Sequence, residues 1–193
     1  MKEPDAGRTE VRRRDRAVTD DAWIREMMAT AATGVLATVA DGQPFVNANL
    51  FVYLEERHAV YLHTAVKGRT RGNVEHDDRV SFAVMELGRL LPADTALEFS
   101  TEYASVVAFG RGTVVEDEDE ARSALQALLD KYFADLTPGR DYRKITRDEL
   151  ARTTVFRIDI EEWVGKRKQA EPDFPGARRY TAPSMVATAP GRR

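Results

Sequence analysis

The chain has no cysteine. That excludes disulfides, thiolate nucleophiles and cysteine-based metal sites. No apolar run is long enough to span a bilayer, and no hydrophobic segment follows the basic N-terminus as a secretory signal requires. A cytoplasmic protein that does not enter a membrane is the expectation. Histidine is scarce, with only His58, His63 and His76, and their spacing forms no metal-binding pattern, so no metal site is expected. GxGxxG, Walker and GxSxG sequences are all missing, which argues against a Rossmann unit, a P-loop and a serine-hydrolase elbow. Excess positive charge is missing too. At a net charge of -3, bulk electrostatics does not point to nucleic acid or to a membrane surface, and any basic site must be local.

What is present is an ordinary globular composition: 193 residues, 42% hydrophobic and 32% charged, enough for one domain with a core. Residues 1–17 are polar and Arg-rich and read as a flexible basic arm. Residues 169–193 contain prolines, glycine and few large apolar side chains, and read as a flexible tail. The folded unit is expected over 18–168.

Within it, Thr19 is placed to cap a helix whose apolar face carries Trp23, Met27 and Met28. The period then changes. Strands are predicted over Val35 to Ala40, Phe45 to Tyr53, Val60 to Thr64, Val80 to Met85, Tyr103 to Val115 and Thr153 to Ile160. Asp41-Gly42 reads as a hairpin turn, a short helix or turn as covering Arg71 to His76, and Gly110 and Gly112 as marking a bulge or bend. A second amphipathic helix is predicted over Asp117 to Tyr132, and a helical turn near Arg147 to Leu150. Six strands of this kind predict a mainly β protein with flanking helices, folded as an antiparallel closed or half-closed barrel.

The stretch VYLHTAVKGRTRGNV, Val60 to Val74, concentrates the chemistry. A strand ends at Thr64, and Lys67, Arg69 and Arg71 follow in a Gly-containing turn. Three cations so close suit one compact anion such as a phosphate, because charge-assisted hydrogen bonds are the strong ones. The alternative is a solvated basic turn. Along Phe45 to Tyr53, alternation places Phe45, Asn47, Asn49, Phe51 and Tyr53 on one face and Val46, Ala48, Leu50 and Val52 on the other. The apolar set is expected to face the core. The first set, amides with aromatics, suits a flat heteroaromatic ligand. His63 precedes the basic turn and could hold a proton near neutral pH. Ser105 alternates with Tyr103 on one face of a later strand. Trp163 precedes a cationic run that includes Lys166, and reads either as a lid over a ligand or as a plug in the barrel end.

The succession PFVNANLFVY, VYLHTAVKGRTRGNV, EYASVVAFGRGTVVED and RIDIEEWVGKRK resembles the pyridoxamine-phosphate-oxidase-like FMN-binding split barrels, and among them the nitroimidazole-resistance type. The resemblance runs from about Arg12 to Lys168. It implies a six-stranded antiparallel split β-barrel with flanking helices, and a homodimer with FMN at the subunit interface. Carried over by position, Asn47, Ala48, Asn49, Leu50, Phe51 and Val52 would line the isoalloxazine, and Thr64 the ring or ribityl chain. Lys67, Arg69 and Arg71 would hold the phosphate, with Thr70 and Asn73 also counted among the cofactor-binding residues. Ser105, Trp163 and Lys166 would add contacts, and His63 would be the catalytic residue. Thr70 stands where true pyridoxamine-phosphate oxidases carry a second cation, and nothing after Trp163 matches their Arg-x-His element, so vitamin B6 oxidation is not expected. The reading is an FMN-dependent oxidoreductase acting on a small molecule, with NAD(P)H as the electron source considered although no motif specifies it. A deazaflavin-dependent reductase, or a flavin- or haem-binding protein without turnover, are the alternatives.

Overall fold

A computed structural model of the protein describes residues 7–182. Residues 1–6 of the expected arm and 183–193 of the expected tail lie outside the described residues. In chain order the elements are β1 (Ala17–Val18), α1 (Asp21–Thr30), β2 (Gly34–Ala40), β3 (Gln43–Asn49), β4 (Val52–Leu54), β5 (Ala59–Ala65), α2 (Arg69–His76), β6 (Arg79–Leu91), β7 (Ser100–Val114), α3 (Glu118–Tyr132), α4 (Arg147–Ala151), β8 (Thr153–Lys168) and β9 (Arg178–Arg179).

Among the described residues, nine strands form one antiparallel sheet in the order β3-β2-β6-β7-β8-β5-β4, with β1 added on β8 and β9 on β6. The class is the expected one, and the count is higher than six for three reasons. β1 and β9 are two-residue additions, and the predicted Phe45 to Tyr53 strand breaks at Leu50 and Phe51 into β3 and β4. β3 and β4 follow one another in sequence yet stand at opposite ends of the sheet order. The gap between them is the split of the barrel.

Local chemistry explains the elements. Asp20, rather than Thr19, caps α1, its carboxylate accepting from the N–H of Ala22 at 2.9 Å and of Trp23 at 3.5 Å. Asp41 and Gly42 both have positive φ, 51° and 74°, as the tight turn between β2 and β3 demands. Asp117 caps α3 through the N–H of Glu120 at 2.7 Å. Gly110 marks the register shift between β7 and β8. A Cβ there would lie 2.0 Å from the carbonyl oxygen of Asp159, so only glycine permits the approach.

The barrel core gathers Leu36, Phe51, Leu62, Phe82, Val84, Val106, Phe156 and Ile158 with Met27 and Met28 of α1. Each large apolar side chain buried in it contributes roughly 1.5–3 kcal/mol. A second cluster joins Val52, Ala59, Tyr61 and Val155 to Ala121, Ala124 and Leu128 of α3. The buried Tyr61 hydroxyl donates to Glu120 at 2.8 Å, and Arg157 donates to the same carboxylate at 2.8 Å, which fixes the first turn of α3. Burial beside that carboxylate pushes the Tyr61 phenol up to about 12.

The flanking segments are tied to the sheet. Arg8 pairs with Glu161 and Glu162, and Arg89, paired with Glu102, donates to the carbonyls of Ala170, Glu171 and Pro172. Among the described residues, no helix is long and apolar enough to cross a membrane.

Candidate functional site

The break between β3 and β4 overturns the expected assignment of faces. Val46 is 63% exposed and Leu50 49%, whereas Phe51 and Tyr53 are buried in the barrel core. The reason is position. β3 is an edge strand, and its inner face is covered not by core but by the start of α2. Asn47 Nδ2 lies 3.4 Å from the Thr70 hydroxyl and 3.3 Å from the Asn49 amide oxygen, and Asn49 Nδ2 donates to the Asn47 carbonyl at 2.8 Å. The Arg69 guanidinium stands 5.1 Å from the centroid of the Phe45 ring.

The basic turn leads straight into α2. Its N-cap, Gly68, provides no side-chain hydrogen bond, so the first N–H groups of the helix lack a capping side-chain oxygen. Lys67 and Arg69 are exposed and, among the described residues, have no carboxylate partner. Arg71 is different: it pairs with Glu75 at 2.7 Å and reaches the buried Thr154 hydroxyl at 3.4 Å. Thr154 is the cross-strand partner of Thr64, so Arg71 links α2 to the end of β5. Asn73 is buried and donates to the Thr38 hydroxyl at 2.9 Å, which fastens α2 to β2. Its side chain therefore holds the helix that carries the turn.

His63 lies on β5, one residue before Thr64. The ladder that pairs Val52 with Tyr61 would, extended by two residues, set Leu50 opposite His63. At that point the chain has already turned toward β3, so His63 lies on the rim of the split. Its side chain is exposed, yet enough protein surrounds the ring that burial lowers its pKa below the ordinary value.

One neighbourhood thus collects Asn47, Ala48, Asn49 and Leu50 from the free edge of β3, His63 and Thr64 from β5, and Lys67, Arg69, Thr70 and Arg71 from the turn and α2. Phe51 and Val52 adjoin it with their side chains buried, and the main-chain N–H and carbonyl of Phe51 are taken by the Tyr132 hydroxyl. Three expected contacts lie elsewhere in the chain. Ser105 and Lys166 are cross-strand neighbours of each other, and Ser105 is paired with Met85 on the other side. The twelve strand steps from Thr154 to Lys166 cover roughly 40 Å of β8.

Trp163 packs against the barrel core. Its indole N–H donates to Asp21 at 2.9 Å, and its ring meets His58 at 4.5 Å and Tyr53 at 6.0 Å. A cavity of about 500 Å³ beside it, lined by Arg14, Val18, Asp21 and Ile24, lies under the N-terminal segment, away from the basic turn. Sequence reasoning missed Thr154 and Tyr132. Each meets the neighbourhood only through long-range packing, and neither carries a local signal.

The outer face of the sheet completes the picture. Cross-strand pairs align Ala48, Val35, Ala83, Val107 and Val164 in one row, with Met85, Ser105 and Lys166 in the next. Met85 is 72% exposed, and Val35 and Leu87 are exposed as well.

The family model described as pyridoxamine 5'-phosphate oxidase matches residues 20–167. The chain belongs to that family. No curated protein matches the sequence. Among solved structures, the flavocytochrome Anf3 of Azotobacter vinelandii superposes with a TM-score of 0.72 at 22% identity, covering 97% of this chain and 94% of that one. An FAD- and haem-binding protein from Mycobacterium smegmatis gives 0.71 at 22% identity, over 92% and 94%. A candidate 5-nitroimidazole antibiotic resistance protein from Bacteroides thetaiotaomicron gives 0.65 at 19% identity, over 78% and 86%. This pyridoxamine 5'-phosphate oxidase family member therefore shares their split-barrel fold.

Proposed function

We propose that this protein is an FMN-dependent oxidoreductase of the nitroimidazole-reductase-like type, acting as a homodimer on a small molecule. The observation that carries the reading is the start of α2, where uncapped N–H groups and two cations that, among the described residues, have no carboxylate partner converge beside the free edge of an amide-bearing strand. Helix N-termini favour phosphate through both their N–H groups and the helix dipole. Arg69 and Lys67 would hold the phosphate, Thr70 and Thr64 would stand along the chain that leads from it, and β3 would offer unpaired main-chain groups and two amides to the ring edge. The residues present fit the group. Bound there, a flavin supplies the electron transfer itself, while the protein supplies position and electrostatics. His63, on the rim of the same split, is placed to hold or release a proton at its imidazole.

Within one chain this neighbourhood is an open surface. A second copy laid on the apolar outer face would remove Val35, Val46, Leu50, Met85 and Leu87 from water, a contiguous patch of the kind that marks an interface. The aromatic set of Phe45 to Tyr53 would not form this contact, because Phe51 and Tyr53 already lie inside the barrel. Ser105 and Lys166 lie on the outer face beside Met85, and in the dimer they would reach the partner's site. Light scattering at falling concentration should report a mass near twice the 21.7 kDa of the chain. A flavin-loaded monomer that persists on dilution would refute the dimer.

The flavin reading is tested by the absorption spectrum of the purified protein and the identity of any flavin released by acid. FMN is expected, and a colourless protein that also ignores added FMN would overturn the proposal. Haem binding without turnover is the second reading, supported by the flavocytochrome and the FAD- and haem-binding protein that share the fold over more than nine-tenths of their lengths. A Soret band in place of flavin bands would favour it.

A further inference from the structure

The end of α3 reaches the point where β3 gives way to β4. Leu50 and Phe51 lie between two strands and have no ladder partner there. Buried backbone groups in such a position need other partners. Tyr132 provides them. The Phe51 N–H donates to its hydroxyl at 3.0 Å, and that hydroxyl lies 3.0 Å from the Phe51 carbonyl and 2.9 Å from the Ala32 carbonyl. A single side chain thus stands in for a strand, and it ties the exit of α1 to the floor of the split.

Lys131 grips the same two segments. Its Nζ donates to the Ala31 carbonyl at 2.8 Å and stands 3.9 Å from the centroid of the buried Phe51 ring. That ring packs edge-on against Phe82 with centroids 4.8 Å apart. Lys131 is half-buried and, among the described residues, has no carboxylate partner; burial pushes its pKa down to about 8. Packing alone would be served by an apolar residue, since a desolvated ammonium is costly to keep. The other end of α3 is fixed by the bonds of Glu120 to Tyr61 and Arg157. The helix is therefore a rigid bar with its first turn anchored and its last two residues clamped on the split.

We propose that Lys131 and Tyr132 are positioning residues for the flavin site, together holding the β3–β4 break so that Asn47, Asn49 and Leu50 are presented toward the ligand. This rests on the flavin reading above and adds residues that touch no ligand themselves. The test uses the full chain with two variants. Tyr132→Phe removes only the hydroxyl, and Lys131→Met removes the charge while keeping the stem, so one remains informative if the other fails to fold. Hydrogen exchange on the flavin-free protein is measured over 47–54, and FMN affinity by fluorescence quenching.

In each variant the amides of 47–54 should exchange roughly tenfold faster, with β7 unchanged, and FMN affinity should fall roughly tenfold, the scale of one hydrogen bond. Unchanged exchange over 47–54 in both variants would overturn the clamp. Faster exchange with FMN affinity equal to the parent's would overturn the positioning role and leave a purely structural one. If the parent itself binds no flavin, the flavin reading fails and the positioning role falls with it, while the exchange data still decide whether the clamp exists.

Discussion

Replacing His63 with alanine should leave FMN affinity and the dimer intact and slow the reduction of an acceptor such as a nitroaromatic by about 10² to 10⁴, the usual loss when a positioned proton donor is removed. That is roughly 3 to 5 kcal/mol of barrier. Among the described residues the imidazole makes no side-chain hydrogen bond, and it stands on the rim of the split, so the loss should appear in turnover rather than in folding. The pH dependence gives a separate check. Burial lowers the pKa of His63 below the ordinary value of about 6.5. Between that value and the lower native one, the unfolded chain binds a proton that the native chain refuses, so stability falls as pH falls through this window. His63→Ala should flatten that slope. Turnover should move the opposite way: the protonated donor grows as pH drops, so the parent's rate should rise toward acid and the variant's should not. Equal turnover per bound flavin in the two proteins would end the catalytic assignment.

Arg69→Ala should weaken FMN by roughly 1.5–3 kcal/mol, the value of a hydrogen bond to a charged group, or tenfold to a hundredfold in affinity. Part of any change could come from the lost contact with Phe45, which at an exposed site is worth about 0.5–1 kcal/mol. Arg69→Lys separates the two, because it keeps a cation at the helix start but not the planar fork. The lysine variant should recover part of the affinity. Arg71→Ala should behave differently. Arg71 is already paired with Glu75 and joined to Thr154, so its loss should lower the melting temperature more than the affinity. Equal FMN affinity in Arg69→Ala and the parent would return the turn to a solvated surface.

The periodicities and turns were legible in the sequence wherever they are local. Asp41-Gly42, the α2 turn, the Gly110 bulge and α3 could all be read within a few residues. The faces of Phe45 to Tyr53 could not. Alternation says which side chains share a face, but not which face looks inward, and it assumes one unbroken strand. The break at Leu50 and Phe51 reverses the outcome, and the side chain that takes up the Phe51 backbone there lies some eighty residues away, in Tyr132. β8 extends past the expected Ile160 to Lys168, because charged residues on both faces of its second half hide the strand period while its backbone still pairs with β7 and β1. The basic turn could be seen as a cluster of charge. That Asn73 and Arg71 spend their side chains on Thr38, Glu75 and Thr154 could not, since those partners are fixed only by the packing of α2.

β8 joins β7 on one side to β5 on the other, and it is the last long strand among the described residues. During synthesis, every residue of the basic turn and the split is made before the strand that closes the barrel around them. Until β8 docks, β5 and β7 each present an unpaired edge, the geometry that recruits other chains into aggregates. Such long-range pairing also makes closure slow. The domain should therefore be most vulnerable until β8 has been made and docked, and a substitution that delays the docking of β8, such as any side chain at Gly110, should lower the yield of soluble protein more than its effect on the finished fold would suggest.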